Sequence, residues 1–178
     1  ADSLYMQGDY TQASRYYKKS LAELANQNNA AGLISALNGA ANSAYFQGNY
    51  DEALDYYQRS LVLERSQRDQ LGVANAFRGI GNVHRSRGDY AAALESYFNA
   101  LQISEVLKTN TGLILASIGL TRSLQNDNAA ALDYYGKALE RFKLDGNQID
   151  SSRVLSLIGN SHYILGNLDL AIDSYQKG

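Results

Sequence analysis

Small and aromatic residues recur along the chain with a period of about 40 positions. One complete unit runs from Phe77 to Leu107, with a Gly-Asp-Tyr turn at its centre and apolar residues on either side. After each such turn an alanine is followed, four positions later, by a tyrosine. The five pairs are Ala13 with Tyr17, Ala53 with Tyr57, Ala93 with Tyr97, Ala131 with Tyr135, and Ala171 with Tyr175. A period of this size predicts an array of units that bury their apolar faces against their neighbours.

Each unit is predicted to contain two helices. We expect first helices over residues 1–7, 33–47, 73–87, 113–125 and 152–165, and second helices over 11–26, 51–67, 91–108, 129–143 and 169–178. A turn glycine followed by Asp or Asn suits a helix end with positive φ and a cap for the next helix. These turn glycines are Gly8, Gly48, Gly88 and Gly166. We expect a second set, Gly32, Gly72 and Gly112, to mark the breaks between repeats.

The predicted domain organisation is a single array over residues 1–178. Its units are a partial repeat 1 (1–28), repeat 2 (33–68), repeat 3 (73–108), repeat 4 (113–145) and a partial repeat 5 (152–178). Because the array begins and ends inside a repeat, we expect a fragment of a longer protein. Repeat 4 has Asn126 in place of the turn glycine and is two residues shorter than repeat 3 between equivalent glycines. A local change of superhelical pitch, or a mobile joint, is expected there.

The unit resembles the tetratricopeptide repeat (TPR), whose signature is Trp-x2-Leu-Gly-x2-Tyr followed by Ala-x3-Phe. Phe77, Ile80, His84 and Tyr97 stand at the signature's Trp, Leu, Tyr and Phe positions, and the closing Pro is absent. The resemblance implies an all-α fold, a right-handed α-solenoid of stacked helix-turn-helix units with a concave groove. The long period is similar to that of the LGN/Pins adaptors, kinesin light chain and bacterial TPR arrays.

In TPR arrays the first helices line the concave face, and a peptide or partner segment lies in it. By position, the resemblance implies a lining that is polar or aromatic in repeats 2, 3 and 5 and apolar in repeat 4. The candidate peptide-binding residues are Asn38, Asn42, Tyr45, Phe46, Asn75, Arg78, Asn82, Arg85, Leu120, Leu124, Arg153, Asn160 and Tyr163.

The asparagines Asn42, Asn82 and Asn160 recur at one repeat position, where the family commonly has an asparagine that bonds the backbone of a bound peptide. An amide has both a donor and an acceptor, so it can pair with an extended main chain of any sequence. The alternative is simple inheritance of the repeat consensus. In repeat 4 the position is Leu120. The apolar row Leu113, Leu120 and Leu124 forms either a pocket for an apolar anchor, a self-association surface, or part of the internal packing.

Arginines give part of the predicted groove a basic character. Arg78 and Arg85 lie two helical turns apart on one face, and Arg153 adds a third. Arginine binds carboxylates in a bidentate fashion. An acidic ligand segment is therefore one hypothesis, and a solvated helix face or intramolecular ion pairs are the other.

Composition narrows the function classes. The net charge of −2 gives no reason to expect a nucleic-acid partner, and the absence of cysteine removes thiolate metal sites. No apolar run approaches the length of a membrane span, so we expect no membrane partner. His84 and His162 are two repeats apart, too far to share a metal. No nucleophile elbow or phosphate loop is present, so we expect no enzyme activity, metal or cofactor.

The sequence thus predicts a protein-interaction scaffold that binds a peptide or partner segment in its groove. The alternative is a sensory or regulatory module of a bacterial signalling protein, which controls an output domain outside the chain. Self-association through the array ends could accompany either, since a cut repeat exposes apolar helix faces. A soluble protein, cytoplasmic rather than exported, is expected.

Overall fold

The computed structural model describes residues 2–178, and almost all of them are helical. Ten α-helices are described: α1 (Asp2–Met6), α2 (Tyr10–Leu24), α3 (Ala30–Phe46), α4 (Tyr50–Ser66), α5 (Gln70–Arg87), α6 (Tyr90–Leu107), α7 (Thr111–Leu124), α8 (Asn128–Leu144), α9 (Gln148–Ile164) and α10 (Leu168–Lys177). Within residues 2–178 there is no strand. The chain forms two compact units, one ending at Ala100 and the other comprising Leu101–Gly178.

In the first unit, tyrosine rings pack against bare glycine backbone. Helix α3 packs between α2 and α4, and α4 packs on α5. Tyr57 of α4 is 6% exposed, and a Cβ built on Gly79 of α5 would lie 2.5 Å from its Cε1. Tyr17 of α2 meets Gly39 of α3 in the same way. Because burial of a large side chain contributes about 1.5–3 kcal/mol, these aromatic contacts are a main source of cohesion between repeats.

In the second unit a tyrosine packs against a glycine of its own repeat. Tyr135 of α8 is 1% exposed, and a Cβ on Gly119 of α7 would lie 2.7 Å from its ring. The buried residues Tyr135, Phe142 and Val154 form a core cluster, against which Leu113 and Leu120 pack. A glycine that admits a tyrosine ring is therefore found in both units, at Gly79 against the preceding repeat and at Gly119 within one repeat.

The first helices begin up to one turn earlier than the sequence analysis predicts. Asn29, Asp69 and Asn147 each accept a hydrogen bond from the backbone N–H three residues on, as N-cap side chains do. Consequently Gly32 and Gly72 do not mark breaks between repeats. They lie in the first helical turn, where their missing side chain leaves room for the capping group that a Cβ would approach within 2.7 Å.

The turns inside the repeats follow the sequence prediction. The four turn glycines, Gly8, Gly48, Gly88 and Gly166, all have φ between 76° and 83°. Asn126 replaces the glycine in repeat 4 and takes the same left-handed conformation, with φ of 63°. Asp9 and Asp127 cap the helices that follow them, whereas Asn49 and Asn167 make no side-chain cap bond.

Candidate functional site

A cavity of about 440 Å³ in the first unit brings together the polar residues predicted from repeats 2 and 3. Its walls come from α1, α3, α4 and α5. The lining residues are Tyr5, Asn38, Asn42, Tyr45, Phe46, Tyr57, Asn75, Arg78, Gly79 and Asn82. All the candidate residues of repeat 2 and three of the four in repeat 3 lie here. Arg85, the fourth, is half-buried on α5 and is not part of the lining.

The Asn42 side chain is oriented by a tyrosine of its own repeat. The Tyr57 hydroxyl donates a hydrogen bond to Asn42 Oδ1. The Tyr97 hydroxyl donates in the same way to Asn82 Oδ1, at 2.8 Å. Each bond occupies the amide's carbonyl oxygen and takes no hydrogen from its NH2 group. The part of each amide that remains for other partners is therefore chiefly the NH2 donor, not the donor-and-acceptor pair expected from sequence.

Asn38, in contrast, is held through its NH2 group and not through its carbonyl oxygen. Its Nδ2 donates to Glu64 Oε1 at 2.9 Å, and Ser60 Oγ donates to the same oxygen at 3.0 Å. Glu64 is fully buried at 0% exposure, and its Oε2 has no hydrogen-bond partner among the described residues. Because a carboxylate only accepts hydrogen bonds, the Asn38 amide must turn its NH2 group toward Glu64.

Aromatic rings form one end of the cavity. Phe46 stacks on Tyr10 with ring centroids 4.8 Å apart and packs edge-on against Tyr5 and Tyr45. The Tyr45 hydroxyl lies 3.1 Å from Ser86 Oγ, which ties α3 to α5. Phe46 nevertheless remains 52% exposed. This end of the cavity can therefore bury apolar groups of a ligand.

Arg78 is the charged side chain among the lining residues that the structure describes. Its Nε is buried and makes no hydrogen bond within residues 2–178. Burial raises the pKa of the neighbouring Tyr57 hydroxyl well above its ordinary value, and the Arg78 charge partly opposes that shift. The phenol therefore stays protonated and remains a donor to Asn42, while Arg78 gives the cavity a single positive charge.

The candidates of repeats 4 and 5 lie in the second unit and have other surroundings. Arg153 forms an ion pair with Asp150 at 3.1 Å, which is the intramolecular alternative to a basic groove. Leu120 packs against the core cluster, as the internal-packing alternative expects. Leu124 is 47% exposed. Asn160 Oδ1 accepts from the Tyr175 hydroxyl at 2.7 Å.

Tyr163, the last of the predicted site residues, is 65% exposed. His84 is half-buried beside Asp89, with His84 Nδ1 lying 3.7 Å from a carboxylate oxygen. Among the described residues there is no group of three His, Cys, Asp or Glu side chains suited to a metal ion. None of the described helices is both long and apolar enough to cross a membrane.

Sequence reasoning missed three lining residues, Tyr5, Tyr57 and Gly79, and the buried Glu64 that bonds Asn38. A signal for the tyrosine existed. Asn and Tyr are 15 positions apart in each bonded pair, and repeat 4, which has Leu120 in place of Asn, makes no such pair. Glu64 left no periodic signal, because it contacts Asn38 across 26 positions in one repeat alone.

Comparison with known proteins shows what this chain is similar to in sequence and in fold. One model of the tetratricopeptide repeat matches residues 1–66, 32–105 and 72–144, and a second such model matches residues 119–178. No curated protein is similar enough in sequence to count as a relative. The all-α, α-solenoid fold class inferred from the repeats is confirmed by the solved structures to which the chain is similar.

Three of those structures are matched over different shares of their own length. BtubC (BKLC) from P. vanneervenii has a TM-score of 0.84 at 16% identity, over 99% of this chain and 74% of that one. A Rap protein complexed with Competence and Sporulation Factor has a TM-score of 0.86 at 16% identity, over 99% and 50%. The TPR-like repeats of a putative kinesin light chain from Podosopora anserina have a TM-score of 0.78 at 8% identity, over 99% and 88%.

At these identities the structural likeness shows the fold alone. The family models, by contrast, match the sequence itself and together span it from residue 1 to residue 178. The fold is one that serves as a scaffold for protein interactions. The chain belongs to the tetratricopeptide repeat family.

Proposed function

We propose that the chain is an interaction scaffold that binds an extended segment of a partner protein in the cavity between α3 and α5. The observation that carries this proposal is the orientation of Asn42 and Asn82. Both amides are fixed by tyrosine hydroxyls and line one cavity. Two fixed NH2 donors on neighbouring helices can hold the carbonyl groups of a main chain whatever its side chains are.

The bound segment is proposed to be acidic. Arg78 is the charged group of the lining, and its Nε is buried without a partner among the described residues. A buried polar group without a partner destabilises the empty site by about 1–3 kcal/mol. A ligand carboxylate would satisfy the guanidinium and neutralise its charge. Arg153 contributes nothing to this argument, because it lies in the second unit and is paired with Asp150.

The test is selection of binders from a displayed library of random linear peptides, with the whole chain immobilised. Selected peptides are synthesised, and their affinities are measured by isothermal titration calorimetry. Asn42→Ala and Asn82→Ala should each weaken binding by up to about tenfold, since a hydrogen bond contributes roughly 0.5–1.5 kcal/mol. Gln58→Ala, an exposed amide on α4 outside the lining, is the matched control and should leave affinity unchanged.

The acidic preference has its own readout. Peptides selected on wild type should be enriched in Asp and Glu, and their affinity should fall with added salt. Arg78→Met should remove both effects, whereas Arg15→Met, at an exposed arginine of α2, should not. Peptides that bind equally to the asparagine variants would move the binding surface out of this cavity and refute the proposal.

A regulatory role is the second candidate. The observation that favours it is the similarity of fold to the Rap protein complexed with Competence and Sporulation Factor, which extends over 99% of this chain. In that case a selected peptide should change the packing of the repeats as well as occupy the cavity. Hydrogen exchange with and without the peptide distinguishes the roles. Protection confined to α3 and α5 indicates a scaffold, and changed exchange in helices remote from the cavity indicates regulation.

A further inference from the structure

Glu64 is a buried acid that the fold does not require. It stands eleven positions after the repeat alanine Ala53, and the same position holds Ser104 in repeat 3 and Phe142 in repeat 4. All three side chains are buried, with exposures of 0%, 0% and 4%. A hydroxyl or an aromatic ring therefore fills this place in other repeats. A buried acid with one unpartnered oxygen destabilises the fold. The presence of Glu64 therefore needs an explanation other than packing.

The explanation lies in what Glu64 does to Asn38. Asn38 lines the cavity, and its NH2 group is bonded to Glu64 Oε1. The group that Asn38 retains for a ligand is therefore its carbonyl oxygen. Asn42 stands one turn further along α3, about 6 Å away at 1.5 Å per residue, and retains its NH2 group because Tyr57 occupies its oxygen.

We propose that Glu64 is a positioning residue that fixes the hydrogen-bonding direction of the groove. The bound segment must donate a main-chain N–H to Asn38 Oδ1 and offer carbonyl oxygens to Asn42 and Asn82. This inference rests on the proposed function and adds to it the ligand chemistry at Asn38. It also places any ligand carboxylate toward Arg78 on α5, because the Asn38 oxygen is an acceptor and offers a carboxylate no hydrogen bond.

A backbone-modified peptide tests the direction. The probe is a fluorescein-labelled peptide selected from the displayed library, chosen because its affinity depends on Asn42 and Asn82. A set of its variants replaces each amide in turn by an ester, which removes one N–H donor and keeps the shape. For wild type, one ester position should weaken binding by about tenfold. In Asn38→Ala, that same ester should cause no further loss.

Variants of Glu64 then test the positioning. Glu64→Gln keeps an acceptor oxygen for Asn38 and should retain both the affinity and the ester profile. Glu64→Met removes the acceptor, frees the Asn38 NH2 group to turn, and should abolish the effect of the sensitive ester. The double variant Asn38→Asp with Glu64→Gln reverses the internal bond but still presents an oxygen to the ligand. It should restore the wild-type ester profile.

The outcomes separate the two proposals. If Glu64→Met keeps the wild-type profile while folded by circular dichroism, the positioning role is overturned. If Glu64→Met does not fold, the Asn38→Ala cycle and the double variant test the proposal instead. A double variant whose binding is not weakened by the sensitive ester contradicts it. A library that yields no peptide dependent on Asn42 and Asn82 removes the proposed function and this inference together. A peptide that needs both asparagines but shows no ester dependence on Asn38 removes this inference alone.

Discussion

Replacing a glycine by alanine tests the ring-on-backbone packing between the repeats. The perturbation is Gly79→Ala, in the middle of α5. In most helices this change stabilises by up to about 1 kcal/mol, because glycine is a poor helix former. Here the new Cβ would lie 2.5 Å from Tyr57 Cε1 and 2.6 Å from Cζ. Carbon atoms in contact prefer about 3.5–4.0 Å, so about 1 Å of overlap must be relieved.

The Tyr57 ring has little freedom to relieve it. The ring is 6% exposed, and its hydroxyl is bonded to Asn42. Overpacking of a filled core costs typically 1–3 kcal/mol, and loss of the hydrogen bond adds about 0.5–1.5 kcal/mol. After subtraction of the helix-propensity gain, we expect Gly79→Ala to lower the free energy of unfolding by about 1–3 kcal/mol.

Gly136 supplies the matched control. It lies inside α8, it is exposed, and a Cβ built on it meets no atom within 4 Å. Gly136→Ala should therefore stabilise by about 0.5–1 kcal/mol. The assay is urea unfolding followed by far-ultraviolet circular dichroism, with the slope of the transition compared between variants to check cooperativity. A lower free energy of unfolding for Gly79→Ala and a higher one for Gly136→Ala support the packing argument. An equal gain in the free energy of unfolding in both variants would refute it.

Three further predictions concern single groups. Glu64→Gln should be close to neutral, because it keeps the acceptor oxygen for Asn38 and Ser60. Glu64→Ala should destabilise by about 2–4 kcal/mol through a cavity and two orphaned donors. Thermal unfolding measures both. Burial, followed by the hydrogen bond to Glu52, raises the pKa of Tyr56 to about 12. Since unfolded tyrosine titrates near 10, stability should be constant below about pH 10 and fall as the pH rises to 12, and the fall should be smaller in Tyr56→Phe when urea midpoints are compared. Asn126→Val should destabilise by about 1–2 kcal/mol, because φ is 63° there and a branched residue resists that conformation, whereas Asn126→Gly should not.

Much of the fold follows from the repeats alone. The 40-residue period gives the helix pairs, and the turn glycines give the left-handed helix ends that the structure has. The predicted starts of α3 and α5 were wrong by three residues, because Asn29 and Asp69 act as caps three residues ahead of Gly32 and Gly72. A glycine reads as a break in the sequence, yet here it makes space for a capping side chain within the helix.

The sequence predicted which residues lie together in the candidate site, but not which of their atoms remain for a ligand. Placing residues by repeat position brought Asn38, Asn42, Arg78 and Asn82 to one cavity, because equivalent positions on successive first helices share a face. Which atom of each amide remains for a ligand could not be predicted in this way. That depends on partners from other helices, Tyr57 for Asn42 and Glu64 for Asn38, and such contacts have no counterpart in the spacing of a single helix.

The same tyrosine links the packing of the repeats to the chemistry of the groove. Tyr57 presses its ring against Gly79 of the next repeat and donates its hydroxyl hydrogen to Asn42. A closer approach of α5 to α4 would displace the ring, and displacement of the ring would alter the bond to the Asn42 oxygen. Under the proposed function, the orientation of the Asn42 amide therefore depends on how the repeats stack. A partner that bound through Asn42 would stabilise that stacking in return, since linkage between binding and packing is reciprocal.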